Sequence, residues 1–296
     1  MELLEMKPPD LKPVIKCPGG KRQLISEILT NLPGDFAEGY STYVEPFVGG
    51  GAVFFEVARQ FPNKKMIIND VNSDITNVYS SIKCNLKDLI FGLKEYDNYK
   101  NDKKEFYEIR ERFNALKGLQ DPHQASRFMF LNKTGFNGLI RYNRKGLLNV
   151  PFGSYKNPKI FDQDHLSLIS NLFNSRRVTI LNEDFSRVIW NTMFSAKVPS
   201  SVFFYLDPPY DATNETSNFA DYTPQGFSKA DHLRLMADLK LIDSYGGKFL
   251  LSGANTEFMK KTFQDYNIVT IKARRSINSN KRKRGKINEL LIKNYE

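Results

Sequence analysis

Cysteine and histidine are scarce in this chain: Cys17, Cys84 and three histidines in 296 residues. That is too few for a disulfide framework or a clustered metal site, so the chain reads as cytoplasmic and metal-free. No apolar run approaches the length that spans a bilayer. Residues 1–13 mix Glu and Asp with three prolines and carry no apolar stretch flanked by basic residues, which argues against a signal peptide. Internal repeats and low-complexity segments are missing. Hydrophobic residues make up 41%, ordinary for a globular protein, so disorder is not the dominant state. The length suits one large domain or a core with a sizeable insertion.

Acid is absent from residues 272–286, where Lys272, Arg274, Arg275, Lys281, Arg282, Lys283, Arg284 and Lys286 account for most of the net charge of +10. Such a run can be a solvated loop. Eight cations without a counter-charge also repel one another unless a polyanion is near. Nucleic acid is the obvious polyanion.

Short β-rich runs alternate with helical patterns at both ends of the chain. Tyr43 to Phe47, Met66 to Asn69, Val178 to Leu181, Val202 to Leu206, Phe249 to Ser252 and Ile268 to Ile271 read as strands. Helices are expected over Ala52 to Gln60, from Ser73, over Ala230 to Asp243 and over Thr256 to Phe263. This alternation predicts a mainly parallel sheet covered on both faces, with Leu290 to Ile292 as a final antiparallel strand. The middle differs. Glu105 to Leu116 and Gln124 to Leu131 are helical, and Gly138 to Val150 reads as a β-hairpin turning at Asn143 to Gly146. The division is therefore 1–74 with 162–296 as the main domain and 75–161 as an insertion.

A buried strand that ends at Asp207-Pro208-Pro209-Tyr210 carries the parts that hold a planar amine: an acceptor, a carbonyl and a stacking face. Proline supplies the carbonyl because it has no N–H and a fixed backbone. Pro-Pro after a strand is also common loop punctuation. The first strand runs into Glu45-Pro46-Phe47-Val48-Gly49-Gly50-Gly51, where a backbone without Cβ atoms can approach a nucleotide. A dinucleotide loop wants a further glycine at position 54, which is Phe54, and a phosphate-loop lysine is missing. Asp70, 19 residues after Gly51, stands where an acid binds ribose hydroxyls. Adenosine linked to a sulfonium fits both facts.

Weaker signals surround these. Lys16 to Lys21 is a second glycine turn with two cations, by itself a surface turn first. Asp184 and Phe185 follow a strand at the ligand-binding edge, although Asp184 serves equally as a helix N-cap. Phe136-Asn137-Gly138, ahead of Arg141, Arg144 and Lys145, suits a wedge entering DNA, with arginine reading guanine in the major groove. Phe136 in the core is the alternative.

Taken in order, Lys16-Cys-Pro-Gly-Gly-Lys21, Glu45-Pro-Phe-Val-Gly-Gly-Gly51, Gly135-Phe-Asn-Gly-Leu-Ile-Arg-Tyr142, Asn149-Val-Pro-Phe-Gly153, Asp207-Pro-Pro-Tyr210 and Arg274-Arg-Ser-Ile-Asn-Ser-Asn280 resemble the Dam-type DNA adenine methyltransferases, alpha group, over nearly the full length. The resemblance implies a Rossmann-like α/β methyltransferase fold with an inserted target-recognition domain. It implies transfer from S-adenosylmethionine to the adenine N6 amine, commonly in GATC. Asp207 and the Pro208 carbonyl would accept the amine hydrogens, with Pro209 in the same motif, and Tyr210 would stack on the flipped base.

Around the cofactor the family implies Cys17, Lys21, Glu45, Pro46, Phe47, Gly49, Gly51, Asp70, Asp184 and Phe185, with Asp207 nearby. On DNA it implies Lys16 and Arg141 as guanine readers and Phe136 and Asn137 as the wedge. Asn149, Pro151, Tyr155, Arg274, Arg275 and Asn280 are the further contacts. Cys17 replaces a usual tryptophan, Ser154 an arginine and Phe136 a frequent tyrosine. The implied partners are duplex DNA and a restriction endonuclease acting on the same site, for a monomeric enzyme of a restriction-modification or phage-like type. Other acceptors for the same chemistry are the cytosine N4 amine, RNA and a protein glutamine. A DNA-binding protein on an inactive methyltransferase fold is the alternative of a different class. Cytosine ring-carbon methylation needs a thiolate beside a proline, and neither cysteine is so placed on its proline's C-terminal side.

Overall fold

The computed structural model describes residues 10–17, 19–175, 178–210, 227–274 and 286–296. Two short helices, α1 (Ile25–Thr30) and α2 (Phe36–Gly39), lead into β1 (Thr42–Glu45), α3 (Ala52–Gln60), β2 (Lys65–Asn69) and α4 (Ser73–Cys84). The middle of the chain forms α5 (Leu86–Asp97), α6 (Lys103–Ala115), α7 (Pro122–Thr134) and α8 (Gln163–Ser175). Alternation resumes with β3 (Val178–Leu181), α9 (Phe185–Ser195), β4 (Val202–Leu206), α10 (Lys229–Ser244), β5 (Lys248–Ala254) and α11 (Glu257–Thr262). The chain then forms β6 (Asn267–Arg274) and β7 (Lys286–Lys293).

Among the described residues these strands form one seven-stranded sheet in the order β3-β2-β1-β4-β5-β7-β6. The five strands from β3 to β5 are parallel, while β7 lies antiparallel to both β5 and β6. The final strand is thus antiparallel as its sequence predicts, and it lies between β5 and β6. Every residue of β4 is buried, as expected of a central strand covered by helices on both faces. The chain leaves β1 in one direction along the sheet and β4 in the other. Their connections diverge and open a crevice at the carboxyl ends of these two neighbouring strands.

Side chains alternate across the strands and divide the core by face. Val44, Ile67, Phe204, Leu206, Phe249 and Leu251 join Val188 and Ile189 of α9 and Leu235 and Leu239 of α10. Tyr43, Met66, Ile68, Phe203, Tyr205 and Leu250 join Phe54 and Phe55 of α3 on the other face. Leu89, Leu93, Phe106, Phe130 and Val150 belong to that second cluster, so the stretch from α5 to Val150 and the sheet share a continuous apolar core. No described helix is long and apolar enough to cross a membrane.

The Gly138 to Val150 segment departs from the regular hairpin that its sequence predicts. It pairs through one bridge, Tyr142 with Leu148, and turns at Gly146, which has φ +69°. Side chains have taken the backbone groups that a ladder would use. Asn114 of α6 accepts from the Leu148 N–H at 2.8 Å and donates to its carbonyl at 3.1 Å. The Asn143 side chain accepts from the N–H groups of Lys145 and Leu147 at 2.9 and 3.1 Å. Asn and Asp side chains compete with ladders in this way.

Candidate active site

The loop leaving β1 is anchored by the Tyr79 hydroxyl, which donates to the Gly49 carbonyl at 2.7 Å, and by a carboxylate. Asp70, buried at the end of β2, accepts from the Gly49 N–H at 2.9 Å and the Asn72 N–H at 2.9 Å. Gly49 and Gly51 have φ of +48° and +74°, a region where a side chain is strained. A Cβ on Gly51 would also lie 3.1 Å from both the Phe55 ring and the Tyr79 hydroxyl. The bare backbone therefore faces the crevice, with Pro46, Phe47 and Asp70 on the same lining.

A residue missed by the sequence reading fixes three of these strand ends. The Asn69 amide donates to the carbonyls of Pro46 and Glu183 at 2.9 and 3.0 Å, and its oxygen accepts from the Glu183 N–H at 2.8 Å. The signal was an amide ending an otherwise apolar strand, since a buried amide is costly without partners. Beyond β3, Asp184 caps α9 by accepting from the Ser186 N–H at 3.0 Å and pairs with Arg234 at 2.8 Å. The capping role therefore holds, and Asp184 lines the crevice as well. Phe185 packs against Phe47 and Phe227 with ring centroids 5.2 and 5.7 Å apart.

Asp207 follows β4 directly. Its Oδ1 is 2.8 Å from the ammonium of Lys21, which is only 6% exposed. Lys21 lies on the glycine turn that sequence alone ranks as surface. The fold carries it inward instead, where its ammonium sits 4.5 Å over the Tyr210 ring. Glu289 of β7 stands behind them, 3.9 Å from Lys21, and accepts from the Tyr210 hydroxyl at 2.7 Å. Sequence reasoning missed Glu289 because only strand order brings it to this edge. Burial pushes the Asp207 carboxyl above its usual range against the pull of Lys21, and the Glu289 charge adds to the rise. Glu45 is buried, hydrogen-bonded by Tyr43, and pushed well above the usual carboxylate range by burial, with the Asp207 charge adding to it.

The expected DNA-contacting residues form a hydrogen-bonded group beside this crevice. The Lys16 N–H donates to Asn132 at 2.7 Å, and the Asn132 amide donates to the carbonyls of Lys16 and Gly138 at 2.9 and 3.2 Å. Lys16 lies 4.2 Å over the Tyr155 ring and so close to Gly138 that a Cβ there would fall 2.3 Å from its Cδ. Phe136 is 49% exposed, which sets aside the core alternative, and its N–H donates to the Pro151 carbonyl at 2.9 Å. Asn137 has φ +54°. Arg141 donates to the Asn149 carbonyl at 3.1 and 2.8 Å through two nitrogens. Arg275 and Asn280 lie outside the described residues, and Arg274 is the last residue of β6.

One cleft of about 1160 Å³ joins Lys16, Cys17, Asn137 and Arg141 to Lys21, the glycine loop, Asp184 and residues 207–210. Phe136, Asn149, Pro151 and Tyr155 are not on its lining. Cys17 packs within 3.6 Å of where a Gly50 Cβ would be. The Asn72 amide nitrogen, on the same lining, is buried without a partner. An unpaired buried donor beside a glycine cradle and carboxylates fits a polar nucleoside ligand.

Comparison with known proteins bears on this cleft. A sequence model of D12 class N6 adenine-specific DNA methyltransferases matches residues 18–277. Type II methyltransferase M.MjaIII of Methanocaldococcus jannaschii is 40% identical over 97% of this chain and 100% of its own length. Type II methyltransferase M1.LlaDCHI of Lactococcus lactis subsp. cremoris is 37% identical, over 100% of this chain and 99% of that protein. The DNA adenine methylase of Serratia marcescens is 34% identical, covering 94% and 96% of the two chains.

Proposed function

The chain belongs to the D12 class of N6 adenine-specific DNA methyltransferases, and from that premise we propose that it methylates adenine in GATC sites of duplex DNA with S-adenosylmethionine as donor. The carrying observation is the juxtaposition of Asp207, Lys21 and the Tyr210 ring at the switch point, one loop away from the Gly49 to Gly51 cradle. S-adenosylmethionine, when bound, supplies an electrophilic methyl group. Its holders would be Cys17, Lys21, Glu45, Pro46, Phe47, Gly49, Gly51, Asp70, Asp184 and Phe185.

The acceptor is a weak nucleophile because the exocyclic nitrogen's lone pair is spread into the ring. Asp207 and the Pro208 carbonyl would accept its two hydrogens, concentrating density on nitrogen and stabilising the positive charge that develops there. Pro209 stiffens the turn and Tyr210 offers its ring to the base. Reaching this buried pocket requires the adenine to leave the duplex. Phe136 and Asn137 would fill the space it vacates, with Lys16 and Arg141 reading guanine. Asn149, Pro151 and Tyr155 would add contacts, and so would Arg274, Arg275 and Asn280.

On this reading residues 75–161 are the target-recognition domain, and 1–74 with 162–296 the catalytic one. The monomer would act alongside a restriction endonuclease of the same site, as the type II names of two relatives suggest. Incubation with tritiated cofactor and duplexes with or without GATC tests the proposal, with N6-methyladenine identified in the digested product. Equal labelling of both duplexes would sink the GATC assignment.

A further inference from the structure

Glu289 has no part in the chemistry described so far, yet its carboxylate is only 12% exposed on a strand whose next three residues, Leu290, Leu291 and Ile292, are fully buried. Burying a carboxylate is costly unless it is paired and hydrogen-bonded. Its position follows from topology. β7 runs antiparallel to β5, with Glu289 opposite Ala254, so the early part of β7 reaches the edge where the parallel strands end.

The two groups that Glu289 engages are Tyr210, on whose ring the base would stack, and Lys21, which lies against that ring and Asp207. The Tyr210 hydroxyl donates to it at 2.7 Å, which fixes the plane of the ring. The Lys21 ammonium stands 3.9 Å from Glu289, 2.8 Å from Asp207 and 4.5 Å from the centre of the Tyr210 ring. In this arrangement Lys21 covers the ring face and occupies an oxygen of Asp207. A stacked adenine offering an amine to Asp207 competes with Lys21 for both. A buried ammonium cannot be released without another carboxylate close by.

We propose that Glu289 is a positioning residue that holds the Tyr210 ring in its stacking plane and retains the Lys21 ammonium when the target amine takes its place on Asp207. The inference rests on the adenine methyltransferase reading. The Glu289 carboxylate is engaged by Tyr210 and Lys21, and it would act through them.

Glu289→Gln separates its two tasks, because the amide oxygen still accepts from Tyr210 while the charge that retains Lys21 is gone. With the full chain and a GATC duplex, kcat is expected to fall about tenfold. KM for DNA should stay within about twofold, since the residues proposed to contact the duplex are untouched. The acid limb of the pH profile should move to lower pH, because the Glu289 charge helps hold the Asp207 carboxyl up. Pairing Glu289→Ala with Tyr210→Phe should cost less than the product of the single losses, because each variant removes the same Tyr210–Glu289 bond. An unchanged kcat and pH profile overturns the proposal. So does a fall in kcat matched by a fall in melting temperature, which is the signature of a merely structural role. The parent chain in the same assay keeps the premise separate, because a parent that transfers no methyl group to DNA removes the reading itself.

Discussion

The Tyr142 hydroxyl donates to the Asp74 carboxylate at 2.5 Å and lies 3.3 Å from the Asn72 side-chain oxygen. It ties the segment carrying Arg141 to the first turn of α4. The Asn72 N–H donates in turn to Asp70, which also holds Gly49. A chain of hydrogen bonds therefore runs from the neighbour of Arg141 to the glycine loop after β1. Tyr142→Phe should loosen the recognition segment and weaken binding of a GATC duplex about tenfold, the worth of one buried bond to a charged group. Fluorescence anisotropy measures this, and unaltered affinity would show that the segment is held by other contacts.

Asp207→Asn should abolish methyl transfer, with a loss of at least about a hundredfold in kcat. Stability should move the other way. The folded Asp207 carboxyl lies above its usual range, so its contribution to stability is full below the unfolded carboxylate value and is lost as pH rises through the folded one. At neutral pH the variant should melt no lower than the parent, and its advantage should vanish in acid. Thermal melts across pH check the sign.

Asn69→Asp replaces an amide that donates to two carbonyls with a carboxylate facing the same oxygens. The expected cost is about 2–4 kcal/mol of stability, accompanied by weaker cofactor binding because Pro46 and Glu183 are no longer clamped together. Denaturant unfolding and calorimetry with S-adenosylhomocysteine measure the two effects.

Arg141→Ala should relax discrimination at a guanine. The preference for GATC over a site with that base changed is expected to drop by about 1–3 kcal/mol, while binding to unrelated duplex changes little. Competition binding at one fixed salt concentration distinguishes the two.

Lys133 offers a pH test. Burial, with the nearby Lys16 ammonium adding and Cys17 opposing, lowers it from 10.5 to about 8. A lowered lysine disfavours the charged form in the fold, so stability should rise with pH between about 8 and 10.5. DNA favours the ammonium, so duplex affinity should fall as pH passes 8. Lys133→Met should flatten both trends.

Where a segment's own chemistry decides its conformation, sequence and structure agree. α3, β3 and β4 begin and end at the residues that periodicity and apolar runs indicate. β1 stops at Glu45, short of the expected Phe47, because the loop to Gly49 begins at Pro46. α1, α2, α5, α8 and α9 escaped the pattern reading. Asn69, Asn132 and Glu289 escaped it because their partners lie far along the chain, as with Asn132 and Lys16, 116 residues apart.

The residue types that this chemistry needs were determined locally: glycines that tolerate positive φ, prolines that leave carbonyls free, and an acid at a strand's end. Their meeting was decided by the tertiary structure. Strand order set β1 beside β4, reversed β7 to bring Glu289 to the same edge, and folded the turn carrying Lys21 over Tyr210. Through-space distances between charges depend on sheet topology, and no local pattern encodes them.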